Sequence, residues 1–503
     1  MQKKTLLYNS ISPLIFQITT VLCGFILPKL ILSHFGSNIN GLVNSISQFL
    51  GVIAFLELGI GAVIQSSLYK PLAESNNLAI SKVITSADKF FRKIGYILII
   101  YVGVTIFFYP IYVNQQFSFF FTVSLILVIS IRFFAQYFFG IVNRLLLIAD
   151  QKGYIQYNAQ TLAVIGNTVA CYVLIKLNCS IQTVYGMTSF IFLLQPFLIH
   201  LYIKKKYTLN RNIEYKVEPI KQKWNGIAQH VAAFVLDGTD IIVLSFFSTL
   251  TDVSIYSVYI LVIKGVKQLF LSIISGIHAV MGNLWAKQEM NELGRVFIWT
   301  EWIIHSLVVL VFSITSVLIV PFIDVFTNGV SDADYFQPTF AILIVLANTV
   351  YCLSLPYLIM ILAAGHYKET QNKFIICACI NLVASIFFVK CLGLSGVALG
   401  TLLAMIYQLI WMIRYNYKNL IDLPVNICYK QVVVDIILYV SVFIVGSQFF
   451  LYDRSYYAWI ILAMKVSISA LIIVLIFNIF LYEKNIQTIS SKLRITFKTK
   501  KTL

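Results

Sequence analysis

Charge is scarce in this sequence. Charged residues make up 11% of the 503 residues, while hydrophobic residues make up 59%. A soluble globular surface needs about a quarter of its residues charged, so there is too little charge here to coat a water-facing particle. The mean hydropathy of +0.86 points the same way. The composition excludes a soluble protein and predicts an all-α polytopic membrane protein.

Other missing features exclude further classes of function. The sequence has no GxxxxGK[ST] loop, so the chain itself is not expected to use ATP. Cys377-Ala378-Cys379 lacks the flanking ligands of a zinc site, so no metal or other cofactor is predicted. The eight cysteines are nearly all in or beside apolar runs, as is typical of small residues packed between helices. No catalytic residue is predicted, and the chain is not expected to be an enzyme.

Apolar runs long enough to cross a bilayer recur along the whole chain. A spanning helix needs about 20 apolar residues. This rule predicts about 14 transmembrane helices, roughly at residues 11–33, 39–68, 94–113, 117–141, 155–175, 181–203, 227–248, 253–282, 298–321, 336–364, 372–391, 394–413, 432–451 and 456–481.

The basic residues are unevenly distributed between the predicted loops. With a cytoplasmic N-terminus, 29 of the 37 lysines and arginines fall in cytoplasmic segments, and three fall in outer segments. This follows the positive-inside rule and places both termini in the cytoplasm. Topology therefore accounts for most of the net charge of +17, and no nucleic-acid partner is expected. The basic tail from Lys492 to Lys501 is expected to lie on anionic membrane lipid.

Two stretches of the chain resemble later stretches. At a shift of 217 residues, Gly59–Ile64 falls on Gly276–Met281. At a shift of 214, Asn158, Asn167, Ala170, Lys176 and Gly186 fall on Asn372, Asn381, Ala384, Lys390 and Gly400. Two nearly equal shifts predict a parallel repeat of two six-helix bundles, which is a transporter architecture with its site between the halves.

The repeat predicts a division of the chain into four parts. An N-terminal six-helix bundle covers residues 1–206, and a cytoplasmic linker covers 207–225. A C-terminal six-helix bundle follows at 226–418. The last part, 419–503, holds two additional helices and the basic tail.

Four cations within the predicted spans are candidates for substrate binding. An ionisable group in a span is costly and usually faces a cavity or a partner. Arg132 lies too deep in the fourth helix to reach the interface easily; its alternative role is a structural bond to carbonyls or an acid. Lys264 and Lys267 share one helix face at i, i+3 spacing. Lys29 lies near the outer end of its helix, where a lysine also snorkels.

Three acids in the spans are candidates for coupling transport to H⁺ or Na⁺. Glu57 has the alternative of a salt bridge with a cation such as Arg132. Asp237 and Asp240 have the alternative of pairing with the two lysines of the next helix, which would then be unavailable to substrate. Other titratable residues are expected close to the cytoplasmic ends of their helices, where water reaches them: Glu301, His305 and Asp435.

The first two helices resemble a known family. The matching residues are Asn9-Ser10, Leu27-Pro28-Lys29-Leu30, Phe35-Gly36, Asn40-Gly41-Leu42-Val43, Leu56-Glu57-Leu58-Gly59-Ile60-Gly61 and Leu68-Tyr69-Lys70-Pro71-Leu72. They look like the polysaccharide repeat-unit flippases of the Wzx type, which serve bacterial O-antigen, capsule and exopolysaccharide pathways. Those flippases belong to the superfamily of MATE exporters and lipid II flippases. In looser form, as two six-helix halves, the resemblance covers the whole chain.

The resemblance implies a function in surface polysaccharide biosynthesis. It implies a flippase of the bacterial cytoplasmic membrane that moves polyprenyl-diphosphate-linked oligosaccharide to the outer leaflet by alternating access. Basic cavity residues would meet the diphosphate or acidic sugars, and Arg132, Lys264, Lys267 and Lys29 fit that role here. In the lipid II relatives an extra helix pair forms a groove for the lipid tail, and the two additional helices here would match that pair. Many repeat-unit flippases are counted with only twelve spans, so the resemblance leaves this role open. Other polysaccharide-assembly proteins would be partners.

Two other functions compete with this one. A cation-coupled drug or small-molecule exporter of the same superfamily would prefer acids over cations in its cavity, and the deep spans show the reverse balance. An integral-membrane polysaccharide polymerase or ligase would need a long outer loop with catalytic residues. The longest predicted outer loop, roughly Pro321 to Gln337 by the span-length rule, holds no histidine or arginine.

Overall fold

The computed structural model describes residues 2–57, 60–113, 116–211, 213–215, 217–220, 227–421, 424 and 426–481. Every regular element in this part of the chain is helical. The sixteen α-helices are α1 Gln2–Gly51, α2 Ile60–Ala73, α3 Asn77–Val113, α4 Phe119–Ala135, α5 Ile141–Ala149, α6 Gly153–Lys176, α7 Ile181–Lys206, α8 Ile227–Phe247, α9 Leu250–Ala286, α10 Met290–Phe326, α11 Pro338–Leu353, α12 Leu355–Ala363, α13 Tyr367–Leu392, α14 Leu394–Asn419, α15 Asn426–Gly446 and α16 Tyr456–Leu481. A 3₁₀ turn, Val52–Glu57, follows α1, and a π-helix turn, Gln136–Gly140, joins α4 to α5. The basic tail from Lys492 to Lys501 lies outside the described residues.

The helices account for the predicted membrane crossings. Among the described residues, twelve helical stretches are long and apolar enough to cross a membrane. One of them, Leu7–Glu57, is 51 residues long, about twice the length of a single crossing. Helix α8 adds a shorter apolar stretch, Gly238–Phe247. Counting the first stretch twice and adding α8 gives the fourteen predicted helices, and the all-α polytopic fold is confirmed.

The chain forms two compact units. Unit 1 is Met1–Leu261 with Gly329–Ala333, and unit 2 is Val262–Asn328 with Asp334–Leu503. In unit 1, α1 packs against α6, and α7 packs against both α4 and α6. In unit 2, α14 packs against α11 and α13, while α10 packs against α11, α15 and α16. The division into two bundles, a linker and an appendage stays a prediction.

Helix boundaries support the repeat found in the sequence. A shift of 214 residues places Gly153, the first residue of α6, on Tyr367, the first residue of α13. A shift of 217 places the π-helix turn Gln136–Gly140 on residues 353–357, where α11 ends and α12 begins. The two halves therefore interrupt their helices at matching positions.

Helix α1 consists of two helical parts that meet at Gly36. This glycine has φ +82°, a left-handed conformation that a residue with a Cβ rarely adopts. The second part begins at Ser37, whose N–H and Oγ–H donate to the carboxylate of Asp332 at 2.6 and 2.7 Å. A carboxylate is the preferred partner for the unpaired N–H groups that begin a helix. Asp332 thus fixes the bend of α1 from a distant part of the chain.

The second part of α1 crosses α9 in backbone contact within unit 1. A Cβ atom at Gly41 would collide with the backbone carbonyl of Leu250. Two buried side-chain pairs hold this part of α1: Asn40 donates to Ser254 Oγ of α9 at 2.7 Å, and Ser45 bonds Ser245 of α8 at 2.6 Å. Small residues allow this approach, and the polar pairs supply hydrogen bonds that hydrocarbon does not.

Gly41→Ala tests this contact. Because the obstructing atom is backbone, it has no rotamer with which to yield, and we expect a loss of about 1–3 kcal/mol of stability. Thermal unfolding of the purified protein in detergent measures the effect. Gly103→Ala in α3 is the matched control, since a Cβ there meets nothing within 4 Å. The control should be neutral or slightly stabilising, and equal effects of the two changes would contradict the close approach.

Candidate functional site

A cavity of about 290 Å³ lies inside unit 1, among α4, α5, α6 and α7. Apolar residues form part of its wall, but two arginines and four glutamines also line it: Arg132, Arg144, Gln136, Gln156, Gln160 and Gln195. Polar and charged side chains inside membrane-spanning segments are costly and usually serve a cavity or a ligand. This cavity is therefore the candidate functional site.

Three of these six polar residues are brought to the cavity by their spacing and by an irregular turn of the helix. Arg132, Gln136, Gly140 and Arg144 follow one another at steps of four residues. In a regular helix of 3.6 residues per turn, such a row drifts steadily around the helix. The π-helix turn, in which the Ile141 N–H donates to the Gln136 carbonyl, inserts a wider turn that offsets the drift. All four residues consequently face the same cavity.

Arg132 holds its guanidinium at the cavity wall without a carboxylate partner in the described part of the chain. Its Nη2 donates to Ser47 Oγ at 3.1 Å, and the guanidinium lies 5.0 Å from the centroid of the Phe133 ring. A hydroxyl and an aromatic ring orient the guanidinium but do not neutralise it. The positive charge and most of its five N–H donors therefore remain for a ligand.

Glu57 lies close to the second arginine. It ends the 3₁₀ turn, and its Oε1 accepts a hydrogen bond from Tyr137 Oη at 3.3 Å. Tyr137 belongs to the π-helix turn, and the cation whose charge acts on Glu57 is Arg144. The predicted alternative of a salt bridge named Arg132, but that arginine bonds to Ser47 instead. The role of Glu57 in ion coupling stays a prediction.

The glutamines give the cavity hydrogen-bonding capacity of both kinds. Each amide offers two N–H donors and one carbonyl acceptor. Gln156 is only 3% exposed, and its Oε1 has no hydrogen-bond partner among the described residues. An unpaired buried acceptor costs about 1–3 kcal/mol, so this amide oxygen is suited to accept a hydrogen bond from a ligand.

The three predicted lysines do not line this cavity. Lys29 is half-buried in α1 of unit 1. Lys264 and Lys267 lie on the part of α9 that belongs to unit 2. Lys264 is exposed, and the Nζ of Lys267 lies 3.8 Å from the centroid of the Tyr351 ring in a cation–π contact. Their roles as substrate-binding cations stay predictions.

The acids of α8 are only partly described. Asp240 is buried, and its Oδ2 accepts a hydrogen bond from Tyr256 Oη of α9 at 2.8 Å. This bond ties α8 to α9 within unit 1. Asp237 lies on α8, but its side chain is outside the described residues. Pairing of these acids with the lysines, and their coupling to an ion, stay predictions.

Sequence reasoning missed Arg144 and all four glutamines. The predicted spans at roughly 117–141 and 155–175 leave Arg144 in a cytoplasmic segment between them, and neutral amides within a span carry no charge that marks them. The signal that locates them is the row of polar residues at steps of four in two neighbouring helices. One row is Arg132, Gln136 and Arg144, and the other is Gln156 and Gln160.

The fold is similar to that of solved membrane transport proteins. The lipid II flippase MurJ in an inward closed conformation aligns with a TM-score of 0.70 over 96% of this chain and 100% of that chain, at 16% identity. An inward-facing multidrug resistance MATE family transporter of the MOP superfamily aligns with a TM-score of 0.60 over 78% of this chain and 93% of that chain, at 14% identity. No family model and no curated protein matches the chain. At these identities the likeness shows the fold, that of the MurJ and MATE structures.

Replacement of Gln156 tests whether its amide is kept for a ligand. Gln156→Met retains the shape and removes the unpaired acceptor, so we expect the protein to gain about 1–2 kcal/mol of stability. Thermal unfolding without substrate measures it. Asn381→Leu is the control, because that buried amide donates to Thr401 Oγ1 at 3.0 Å and its loss should destabilise. Destabilisation by Gln156→Met would show that the amide serves packing of the protein.

Proposed function

We propose that the protein is a flippase that moves polyprenyl-diphosphate-linked oligosaccharide repeat units from the cytoplasmic to the outer leaflet of a bacterial cytoplasmic membrane. The observation that carries the proposal is the cavity of unit 1, where two arginines and four glutamines face one space within apolar helices. A fold like that of the lipid II flippase MurJ supports it.

The arginines suit the diphosphate or acidic sugars of such a substrate. A guanidinium presents a planar fork of N–H donors that binds phosphate or carboxylate oxygens two at a time. Arg132 and Arg144 lie on the same wall of the cavity. Lys29, Lys264 and Lys267 are proposed to add positive charge along the route, in keeping with their place in membrane-spanning helices.

The glutamines suit the sugars. A sugar hydroxyl both donates and accepts, and an amide offers the complementary pair. Gln136, Gln156, Gln160 and Gln195 line the cavity together with the ring of Phe192. A mixture of amides, an aromatic face and cations fits a charged oligosaccharide better than it fits an apolar cationic drug. The exporter function is therefore second to the flippase function.

The energetics require such a cavity. Transfer of an ionised headgroup through hydrocarbon without compensation costs tens of kcal/mol in the limit of an isolated charge. Fixed guanidinium groups offset this cost for the headgroup while the polyprenyl tail stays in lipid. A membrane potential that is negative inside favours outward movement of an anion by about 2.3 kcal/mol per charge per 100 mV. Alternating access, coupled to H⁺ or Na⁺ through Glu57, Asp237 or Asp240, is proposed to give direction.

Depletion of the protein in its host tests the function. Completed repeat units on polyprenyl diphosphate should accumulate, shielded from a probe added outside the cell, because the headgroup stays in the inner leaflet. If repeat units still reach the outer face and only the polymer length changes, the protein acts as a polymerase or ligase. If depletion changes neither the accessibility of the repeat units nor the polymer length, but lowers resistance to a cationic drug, the protein acts as an exporter and not as a flippase.

Single substitutions test the site. Arg132→Ala and Arg144→Ala should each lower the rate at which repeat units become accessible by about 10-fold or more, since a charge-assisted hydrogen bond contributes about 1.5–3 kcal/mol. Arg295→Ala is the matched control, because Arg295 is exposed and pairs with Glu292 at 3.3 Å. If repeat units become accessible at the same rate in all three variants, the two arginines of the cavity do not take part in transport.

A further inference from the structure

A second group of titratable residues is buried in unit 2. Glu301 and Asp435 are each 2% exposed, and His305 is fully buried. The expectation that water reaches these three residues is wrong, because α10, α12, α14 and α15 enclose them. Other titratable side chains meet the cluster from the surrounding helices: Tyr357 on α12, Tyr417 on α14 and Cys428 on α15.

Both ring nitrogens of His305 face acceptors. Nδ1 lies 2.6 Å from Oδ2 of Asp435, and Nε2 lies 3.1 Å from the backbone carbonyl oxygen of Leu353. The carbonyl accepts only, so Nε2 carries a proton. The short contact with Asp435 also needs a proton between its two atoms, since a bare nitrogen lone pair would repel a carboxylate oxygen. The pair therefore holds one proton more than a neutral imidazole beside a carboxylate.

The remaining groups are satisfied without an added proton. Asp435 Oδ1 accepts from Gln431 Nε2 at 2.9 Å. Glu301 accepts from the hydroxyls of Tyr357 and Tyr417, one to each oxygen, which suits an ionised carboxylate. No group of histidine, cysteine and acid residues among the described residues has an arrangement that holds a metal ion. Of these contacts, the one between His305 and Asp435 is the one that needs an added proton.

We infer that the His305–Asp435 pair is a proton-binding site and that its proton holds α15 against α10. Loss of the proton leaves the ring one N–H for two acceptors, the Asp435 carboxylate at 2.6 Å and the Leu353 carbonyl at 3.1 Å. In either tautomer the buried carboxylate of Asp435 no longer has a cation beside it, which is a costly state in a water-free environment. Movement of α15 away from α10 relieves that cost, because it lets water reach the carboxylate. Proton release and movement of α15 are therefore one event, so the proton gradient can act on this part of unit 2.

A neighbouring contact offers an internal reference. Trp302 Nε1, on the same helix α10, donates to Asn478 Oδ1 of α16 at 2.9 Å. Neither side chain titrates, so the attachment of α16 to α10 is not expected to depend on pH. The inference predicts a pH-dependent distance from α10 to α15 and a constant distance from α10 to α16.

Distances between spin labels in the reconstituted full chain measure the separation of α10 from α15 and of α10 from α16. Labels go on exposed positions, Ile303 of α10 with Ile437 of α15, and Ile303 with Leu475 of α16. Accessible cysteines are replaced and the buried ones are kept, including Cys428. As pH rises from about 5 to 9, a longer α10–α15 distance should appear. The population with the longer distance, relative to the population with the shorter one, should grow by up to about tenfold per pH unit, as expected when one proton is released in the change.

Two variants identify the group that titrates. Asp435→Asn replaces the shared proton with an amide N–H, so the short α10–α15 distance should persist at every pH. Tyr417→Phe removes one donor to Glu301 and leaves the pair intact, so the pH dependence should remain. A single unchanging α10–α15 distance in the native chain would overturn the inference. So would pH dependence that survives Asp435→Asn, or that appears equally between α10 and α16. None of these measurements depends on the transported substrate.

Discussion

Hydrocarbon offers no hydrogen bonds, and this constraint governs the structure at every level. Backbone groups within the spans are satisfied by helices. Polar side chains must then find partners on other helices, as in Asn40 with Ser254, Trp302 with Asn478 and Asn381 with Thr401. These pairs specify which helices meet and in what register, because apolar contacts alone do not distinguish one helix from another in lipid. A polar group left without such a partner marks a place where a ligand is expected, as at Gln156.

The interruptions of regular helix lie at the two polar sites, the cavity of unit 1 and the His305–Asp435 pair of unit 2. Irregular backbone is tolerated at membrane depth only when protein or a cavity surrounds it. The π-helix turn of unit 1 directs the row from Arg132 to Arg144 into the cavity and positions Tyr137 on Glu57. The matching break of unit 2 presents the Leu353 carbonyl to His305. Each half of the repeat thus uses the same interruption to organise a polar site.

The two halves differ in the charge that they hold at corresponding positions. The shift of 217 residues places Asp88 on His305. Asp88 pairs with Arg211 at 2.9 Å in unit 1, and a guanidinium stays charged at any physiological pH. His305 pairs with Asp435 in unit 2 and needs a proton to do so. Unit 1 therefore has a fixed ion pair where unit 2 has a titratable pair.

The sequence by itself determined the class of protein, the order of the membrane-crossing segments, and the position of Arg132 in a costly environment. Those features depend on hydrophobicity and length, which are local properties. Tertiary structure alone decided which polar residues share a space. No local sequence pattern marks Arg144 or the glutamines individually as site residues. The π-helix turn that directs Gln136 and Arg144 into the cavity likewise has no local sequence signal. His305 and Asp435 are 130 residues apart, so only packing could show that they share one proton.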